Sequence, residues 1–279
     1  MGSSMRVWAA ALVFLGVGAA SAGAAPLPRV VSLDYCADQY VLALADREQI
    51  LAVSPAAGAE YSYMAERAQG VPRARPTPEA ALMLSPDIVV RQWGGGFGAP
   101  DVLGRFGIPV AQIADDVSLE QARASLLAIG AALGQSARAE ALAAEMDRRL
   151  AALAGSSPAS RPRALYVTAG GMSSGAGTFI DAILQAAGVR NLTAEKGRRG
   201  WAWVDMEALA LDPPDLFVTG FFDKRERLVD NWSPSRHAFL QDALASRPAV
   251  HLASRQVACS AWFVVDAIEA VAAKRSALK

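Results

Sequence analysis

The sequence predicts an α/β protein of two similar lobes, each a mainly parallel sheet flanked by helices, joined by one long helix with a ligand cleft between the lobes. Three observations predict it. Short apolar runs alternate with helical stretches from residue 29 onward. A helix–turn–strand segment is written twice, as PEAALMLSPDIVV (78–90) and MEALALDPPDLFV (206–218). Its glutamates (Glu79, Glu207), prolines (Pro86, Pro214) and aspartates (Asp87, Asp215) fall in equivalent places, 128 residues apart. Between the copies lies SARAEALAAEMDRRLAALAGSS (136–157), rich in strong helix formers, which suits a rigid connector.

In order, RVVSL (29–33) is a valine-rich strand. CADQYVLALAD follows with Ala37, Tyr40 and Leu44 on one helical stripe. ILAV (50–53), DIVVR (87–91) and PVAQI (109–113) are further strands, and a helix runs from Ser118 to Leu133. Ser136 caps the connector and Gly155-Ser-Ser-Pro stops it. The alternation then restarts with ALYVT (164–168), a glycine-rich turn and a helix from Thr178 to Ala187. LFVTG (216–220), a helix near 236–246, AVHLA (249–253) and a closing helix from about Ser260 complete the second lobe. The expected division is a signal peptide at 1–24, an N-terminal lobe at 25–134, the connecting helix at 135–157 and a C-terminal lobe at 158–279.

With 279 residues, 53% of them hydrophobic and 19% charged, the chain has ample core, and disorder is excluded for most of its length. Zero net charge argues against a nucleic-acid partner, which needs a basic excess. Beyond the N-terminus no apolar run approaches the ~20 residues of a membrane span. MRVWAAALVFLGVGAASAGAAP has one cation, a short apolar core and small residues at its end, the pattern of a cleaved export signal rather than an anchor. Export favours oxidised cysteines, and Cys36 and Cys259 allow only one intramolecular disulfide, closing a very long loop. Buried unpaired thiols and thiols facing the ligand are the alternatives.

Ligands of open α/β sheets bind beyond the carboxyl ends of the strands. The segments there are 34–36, 54–63, 91–97, 168–177, 221–224 and 255–262, with EKGRRGWAW (195–203) before the second repeat. They hold Tyr61, Tyr63, Trp93, Phe97, Trp201, Trp203 and Trp262, including four of the six tryptophans, which as a set favours a surface for a bulky, partly apolar ligand. Any one of them alone reads equally as packing under a loop. They also hold Arg91, Lys196, Arg198, Arg199 and Arg255, able to meet acidic edges; Lys196 also reads as a solvated surface charge. WGGGFG and AGGMSSGAG lack the spacing of phosphate loops, so their glycines are assigned to tight turns.

Nothing in the chain asks for catalysis, a cofactor or a bound metal. His237 and His251 lack metal-ligand spacing, there is no CxxC, HExxH or GxSxG, and His251 reads as a satisfied core residue. An exported enzyme acting in the same cleft would have to draw on Asp34, Ser173, Ser174, Asp223 or Ser260.

The strand PRVVSL, the segment PTPEAALMLSPDIVV with Trp93 after it, the single mid-chain helix and GWAWVDMEALALDPPDLFVTG resemble the periplasmic solute-binding proteins of ABC importers for iron-siderophores, haem and vitamin B12. The resemblance covers essentially the whole chain after the signal. It implies a rigid monomer in the periplasm that closes only slightly on its ligand. It also implies that Glu79 and Glu207 dock on arginines of the two-fold symmetric permease, and that Trp93 and Trp201 contact ligand. The expected ligand is a metal chelate, a corrinoid or a ferric siderophore. Haem, with Tyr61 or Tyr63 as axial ligand, and a polycyclic lipid are further readings. A Cys36–Cys259 bridge would join the lobes near the cleft and reduce their closure.

Overall fold

In the computed structural model, residues 26–115, 117–154, 161–221 and 236–278 are described; the expected signal at 1–24, together with Asp223 and Lys224, lies outside the described residues. The first sheet consists of β1 (Val30–Ser32), β2 (Ile50–Ala52), β3 (Ile88–Arg91) and β4 (Val110–Gln112), all parallel, in the order β2-β1-β3-β4. Helices α1 (Tyr35–Leu44), α2 (Pro78–Leu82), α3 (Ala99–Arg105) and α4 (Leu119–Ala132) accompany it, and α5 (Ser136–Ala154) follows. The second lobe contains β5 (Arg163–Thr168), β6 (Met172–Ser174), α6 (Phe179–Ala186), β7 (Arg190–Asn191), α7 (Leu192–Glu195) and β8 (Trp201–Trp203). It continues through α8 (Met206–Leu211), β9 (Leu216–Gly220), α9 (Ala238–Ser246), β10 (Ala249–Leu252), α10 (Ser254–Val257) and α11 (Val265–Ser276).

Its main sheet runs β7-β5-β9-β10, again all parallel. Numbered within its own lobe, each sheet has its strands in the order second, first, third, fourth. The two lobes therefore share one topology. In β1, β3 and β9 every residue is buried, as expected of parallel strands covered on both faces.

The repeated aspartates now have a physical role. Asp87 Oδ2 accepts from Arg29 N (2.7 Å) and Arg29 Nε (3.2 Å), while Asp87 N donates to Arg29 O (2.8 Å). In the second lobe Asp215 Oδ2 accepts from Arg163 N (2.8 Å), and Asp215 N donates to Arg163 O (2.9 Å). Each aspartate thus pins the start of the third strand to the start of the first. Both arginines also reach the carbonyls of the preceding turn, Arg29 at Ser85 and Arg163 at Pro213. The sequence reading saw the aspartates but not their arginine partners, because these stand 58 and 52 residues away.

The lobes are joined by more than the connector. On α5, Ala139, Ala143 and Met146 enter the first core, Leu150 touches both cores and Leu153 packs on the second. Gly130 of α4 lets that helix lie against it, since a Cβ there would overlap Ala139 Cβ. The expected lobe boundary fails for the C-terminal part. Cys259, Ala261, Trp262, Phe263 and Val265 are buried in the first core, so the chain returns to the first lobe before α11 packs on the second. A Cys36–Cys259 disulfide, with Cα atoms 5.5 Å apart, closes that return. Beside it Arg149 of α5 pairs with Asp266 (2.7 Å) and Glu269 (2.5 Å) of α11.

Two further expectations are corrected. The glycine-rich turn after β5 contains β6, which pairs antiparallel with β8 as a small ribbon; three-residue strands give too little alternation to detect. His251 is exposed on β10 at the edge of its sheet rather than in the core, with Nδ1 2.6 Å from Thr219 Oγ1.

The disulfide spans 223 positions, so its loss frees a very long loop in the unfolded chain. Cys36→Ser with Cys259→Ser is expected to cost about 2–5 kcal/mol, lowering Tm by roughly 5–15 °C in thermal unfolding. An unchanged Tm would remove the bridge from the forces holding the lobes.

Candidate functional site

The site grows from the first two turns of α1, residues 34–40. Asp34 caps the helix: its Oδ1 accepts from Ala37 N (2.8 Å). Its Oδ2 accepts from the backbone N–H groups of Gln92 (2.8 Å), Trp93 (3.1 Å) and Gly94 (2.9 Å). One buried carboxylate therefore fixes the loop after β3 and the Trp93 indole on it. The loop needs its glycines, because a Cβ at Gly94 would overlap the Leu33 carbonyl and Gly95 has φ +81°.

Two adjacent residues of the same helix hold the neighbouring loop. Asp38 accepts from Ser54 N (2.9 Å) and Ser54 Oγ (2.5 Å). Gln39 accepts from Met64 N (2.8 Å) and donates to Ser62 Oγ (3.0 Å). Segment 54–64 is thereby fixed, and Tyr61 on it meets Tyr35 edge-on at 5.1 Å. Tyr35 in turn meets Trp93 at 5.4 Å, making a three-ring cluster at the carboxyl end of the first sheet. Burial, with the neighbouring Tyr61 and Asp34, pushes the Tyr35 phenol above its usual range. Burial also pushes Asp38 up to about 6, against the opposing hydrogen bonds from Ser32 and Ser54.

In the second lobe the two remaining loops are knitted together. Gly175 N donates to Gly200 O (2.8 Å) and Ala176 N to Arg198 O (2.9 Å). Asn191 Nδ2 donates to Ser174 O (2.9 Å), tying the ribbon that carries Trp201 and Trp203 to the sheet. A cavity of about 310 Å³ is lined by Trp201, Phe221 and Thr178 of this lobe, by Val117 just before α4, and by Ser260 beyond the disulfide. Phe221 has φ +62°, an uncommon conformation for a bulky residue and typical of strained site positions. Gln92 Nε2, next to Trp93, reaches Ala114 O (3.3 Å) and Asp115 Oδ1 (3.4 Å), just before Val117 in the chain. The first lobe's aromatic loop and the cavity are thus linked through one short segment.

Of the residues singled out in the sequence, Trp93, Phe97, Trp201 and Trp203 are exposed on these loops, and Tyr61 is partly so. Arg198 and Arg199 are exposed and make no ion pair among the described residues. Trp203 and Arg198 line a smaller cavity of about 140 Å³ within the second lobe, bounded by α7 and α8. Three assignments are corrected. Arg91 is buried and donates to Gly94 O (2.7 Å) and Gly96 O (3.0 Å), bracing a glycine loop whose carbonyls lack a strand partner. Trp262 is a core residue, edge-on to Tyr40 at 5.1 Å, because the returning chain buries it. Tyr63 stacks on Phe263 at 4.1 Å and donates to Asp266 Oδ2 (2.8 Å), beside α5. Burial and that carboxylate push its phenol up to about 12.

Tyr35 and Phe221 are the site aromatics that the sequence reading did not name. Both stand in the strand-end segments it marked out, and Phe221 lies 128 positions after Trp93, at the repeat's own offset. Glu79 and Glu207 are exposed in the first turns of α2 and α8, capped by Thr77 and Asp205. Asp34 is wholly engaged by backbone N–H groups, and the Oγ of Ser173 lies 2.6 Å from Thr193 Oγ1.

Two lobes of one topology, three chain crossings between them and aromatic loops at their junction define a helix-linked binding protein. The comparisons agree. The profile of the family described as "Periplasmic binding protein" matches residues 30–250, and the chain belongs to that family. It is 31% identical over 199 residues to a cobalamin-binding protein of Halobacterium salinarum, covering 69% of this chain and 53% of that one; it spans about half the length of the curated relatives it matches. Among solved structures it is similar to the periplasmic haem-binding protein HutB of Vibrio cholerae, with TM-score 0.71, 19% identity and coverage of 88% and 97%. It is also similar to the periplasmic vitamin B12-binding protein BtuF of Vibrio cholerae, with TM-score 0.69, 18% identity and coverage of 91% and 98%. At these identities the likeness is one of fold. The family is one of binding proteins, and the chain is a binding protein rather than an enzyme.

Asp38 supplies a pH test. Its folded-state pKa stands above the unfolded value of 3.8, so the folded state holds the extra proton between about 4 and 6. The stability this contributes is present below that window and is lost as pH rises through it. Asp38→Asn keeps an acceptor for Ser54 N and removes the buried charge. Its Tm relative to the parent is expected to rise by a few degrees between pH 4.5 and pH 7.5. A constant difference would contradict the burial argument.

Proposed function

We propose that the chain is the periplasmic substrate-binding subunit of an ABC importer, capturing a corrinoid between its lobes and delivering it to the permease. The observation that carries this reading is the set of exposed aromatics, Trp93, Phe97, Trp201 and Trp203, on loops held rigid by buried polar groups. Rings already fixed in place lose little entropy on gripping a large ligand. The 31% identity to a cobalamin-binding protein supports a corrinoid over a ferric siderophore. Arg198 and Arg199, at the rim, would meet acidic or amide edges. On this reading the signal at 1–24 is removed on export, the mature monomer acts in the periplasm, and Glu79 and Glu207 contact arginines of the permease.

Haem is the second reading, favoured by the fold shared with haem-binding HutB. Tyr63 is a poor axial ligand, because its hydroxyl is committed to Asp266. The test is tryptophan fluorescence of the mature protein, titrated with cyanocobalamin, haemin and a set of ferric siderophores, with absorbance correction. Saturable quenching by cyanocobalamin at micromolar concentration or below is expected. Saturation by haemin alone would replace the corrinoid with haem, and flat titrations throughout would refute chelate binding.

Trp93→Ala and Trp201→Ala should each weaken ligand binding about tenfold or more, equal to ~1.4 kcal/mol, with Tm unchanged. Unchanged affinity in both would remove the aromatic cleft. Glu79→Arg with Glu207→Arg should abolish uptake while leaving ligand affinity intact, and full uptake would exclude the docking role.

A further inference from the structure

We propose that Met83 and Leu211 form the apolar half of a paired docking surface, each seated beside its glutamate on one of two equal permease subunits. The inference rests on the reading that Glu79 and Glu207 face the permease, and it adds a contact that charge alone would not supply. Met83 is 87% exposed and Leu211 is 88% exposed, the largest exposures among the aliphatic residues of the described chain. Both lie four residues after the glutamate, Met83 at the end of α2 and Leu211 at the end of α8, so each stands one helical turn from its carboxylate on the same side.

The two pairs are related by the repeat itself, at the offset that relates Asp87 to Asp215. The match is not uniform along the repeat: Ala80 and Ala208 are identical, but Leu82 corresponds to Ala210 and Leu84 to Asp212. Folding does not account for the match either, because the helices bury other residues, Pro78 and Ala81 on α2 and Leu209 on α8. Neither glutamate has an ion-pair partner among the described residues, whereas nearby Asp87 and Asp212 are paired with Arg29 and Arg163. An acidic group beside a bare aliphatic side chain, presented twice, fits a partner with two equal sites, each a cation next to an apolar hollow. A permease of two like subunits has that form. A lipid surface fits poorly, since the carboxylates would face anionic headgroups.

The test uses the full chain in cells of its own host, with the photo-crosslinker benzoylphenylalanine placed singly at positions 79, 83, 207 and 211. A probe at exposed Phe106, beyond the end of α3, is the control. Illumination is expected to join positions 83 and 211 to the same ABC permease polypeptide, identified by peptide sequencing of the adduct, with no such adduct from 106. Adducts from 79 and 207 without any from 83 and 211 would overturn this inference and leave the glutamate docking standing. An adduct from only one of 83 and 211, or an equal one from 106, would also overturn it. No permease adduct from any of the four positions would remove the docking reading as well.

Discussion

The buried carboxylate of Asp34 is the contact on which the site depends. It satisfies one N–H of α1 and three of the loop after β3, so the helix start and the Trp93 loop cannot move independently. A carboxylate engaged by that many backbone donors is costly to displace, because each donor would be left unpaired in the interior. The rest of residues 34–40 extends the arrangement outward. Tyr35 supplies an aromatic edge, Cys36 the disulfide, and Asp38 and Gln39 the second loop, while Tyr40 donates to Ser260 O at 3.3 Å. Seven consecutive residues therefore set the first lobe's face and tie it to the returning chain.

That return governs how the lobes relate. A connector alone would leave one crossing free to bend. Here α5 enters both cores, the disulfide holds 259 against α1, and Arg149 joins α5 to α11 with its guanidinium held protonated by Glu269 and Asp266. Tyr63 adds its hydrogen bond to the same Asp266. Restraints spread over three crossings oppose a wide hinge motion, and they suit a ligand gripped by rigid rings rather than enclosed by closing domains.

The duplication has two separate physical consequences. Inside, each lobe repeats its strand order and its Arg–Asp clamp, which sets the register of third strand on first. Outside, it presents the same acidic helix start twice. The lobes diverge at their strand-end loops: Trp93 sits on a glycine loop after β3, whereas the second lobe adds the β6–β8 ribbon bearing Trp201 and Trp203. On the proposed reading, a symmetric permease and an asymmetric ligand would be served by different parts of one repeated scaffold.

The amino-acid sequence alone determined the strands of the two main sheets except β7, the long helices, the two-lobed plan and the loops rich in aromatics. These depend on local periodicity and on turn residues at fixed offsets, as in Pro86-Asp87 and Pro214-Asp215. It left undecided which aromatics face outward. Trp93 and Trp262 look alike as strand-end residues, yet one stands on a glycine loop and the other is swallowed by the first core. Arg91 and Arg198 likewise differ only in whether carbonyls of a folded loop lie within reach. Tertiary structure settled those cases, together with the partners of Asp34 and Asp87 and the destination of residues 259–265, because each depends on groups tens to hundreds of residues apart whose meeting no local pattern encodes.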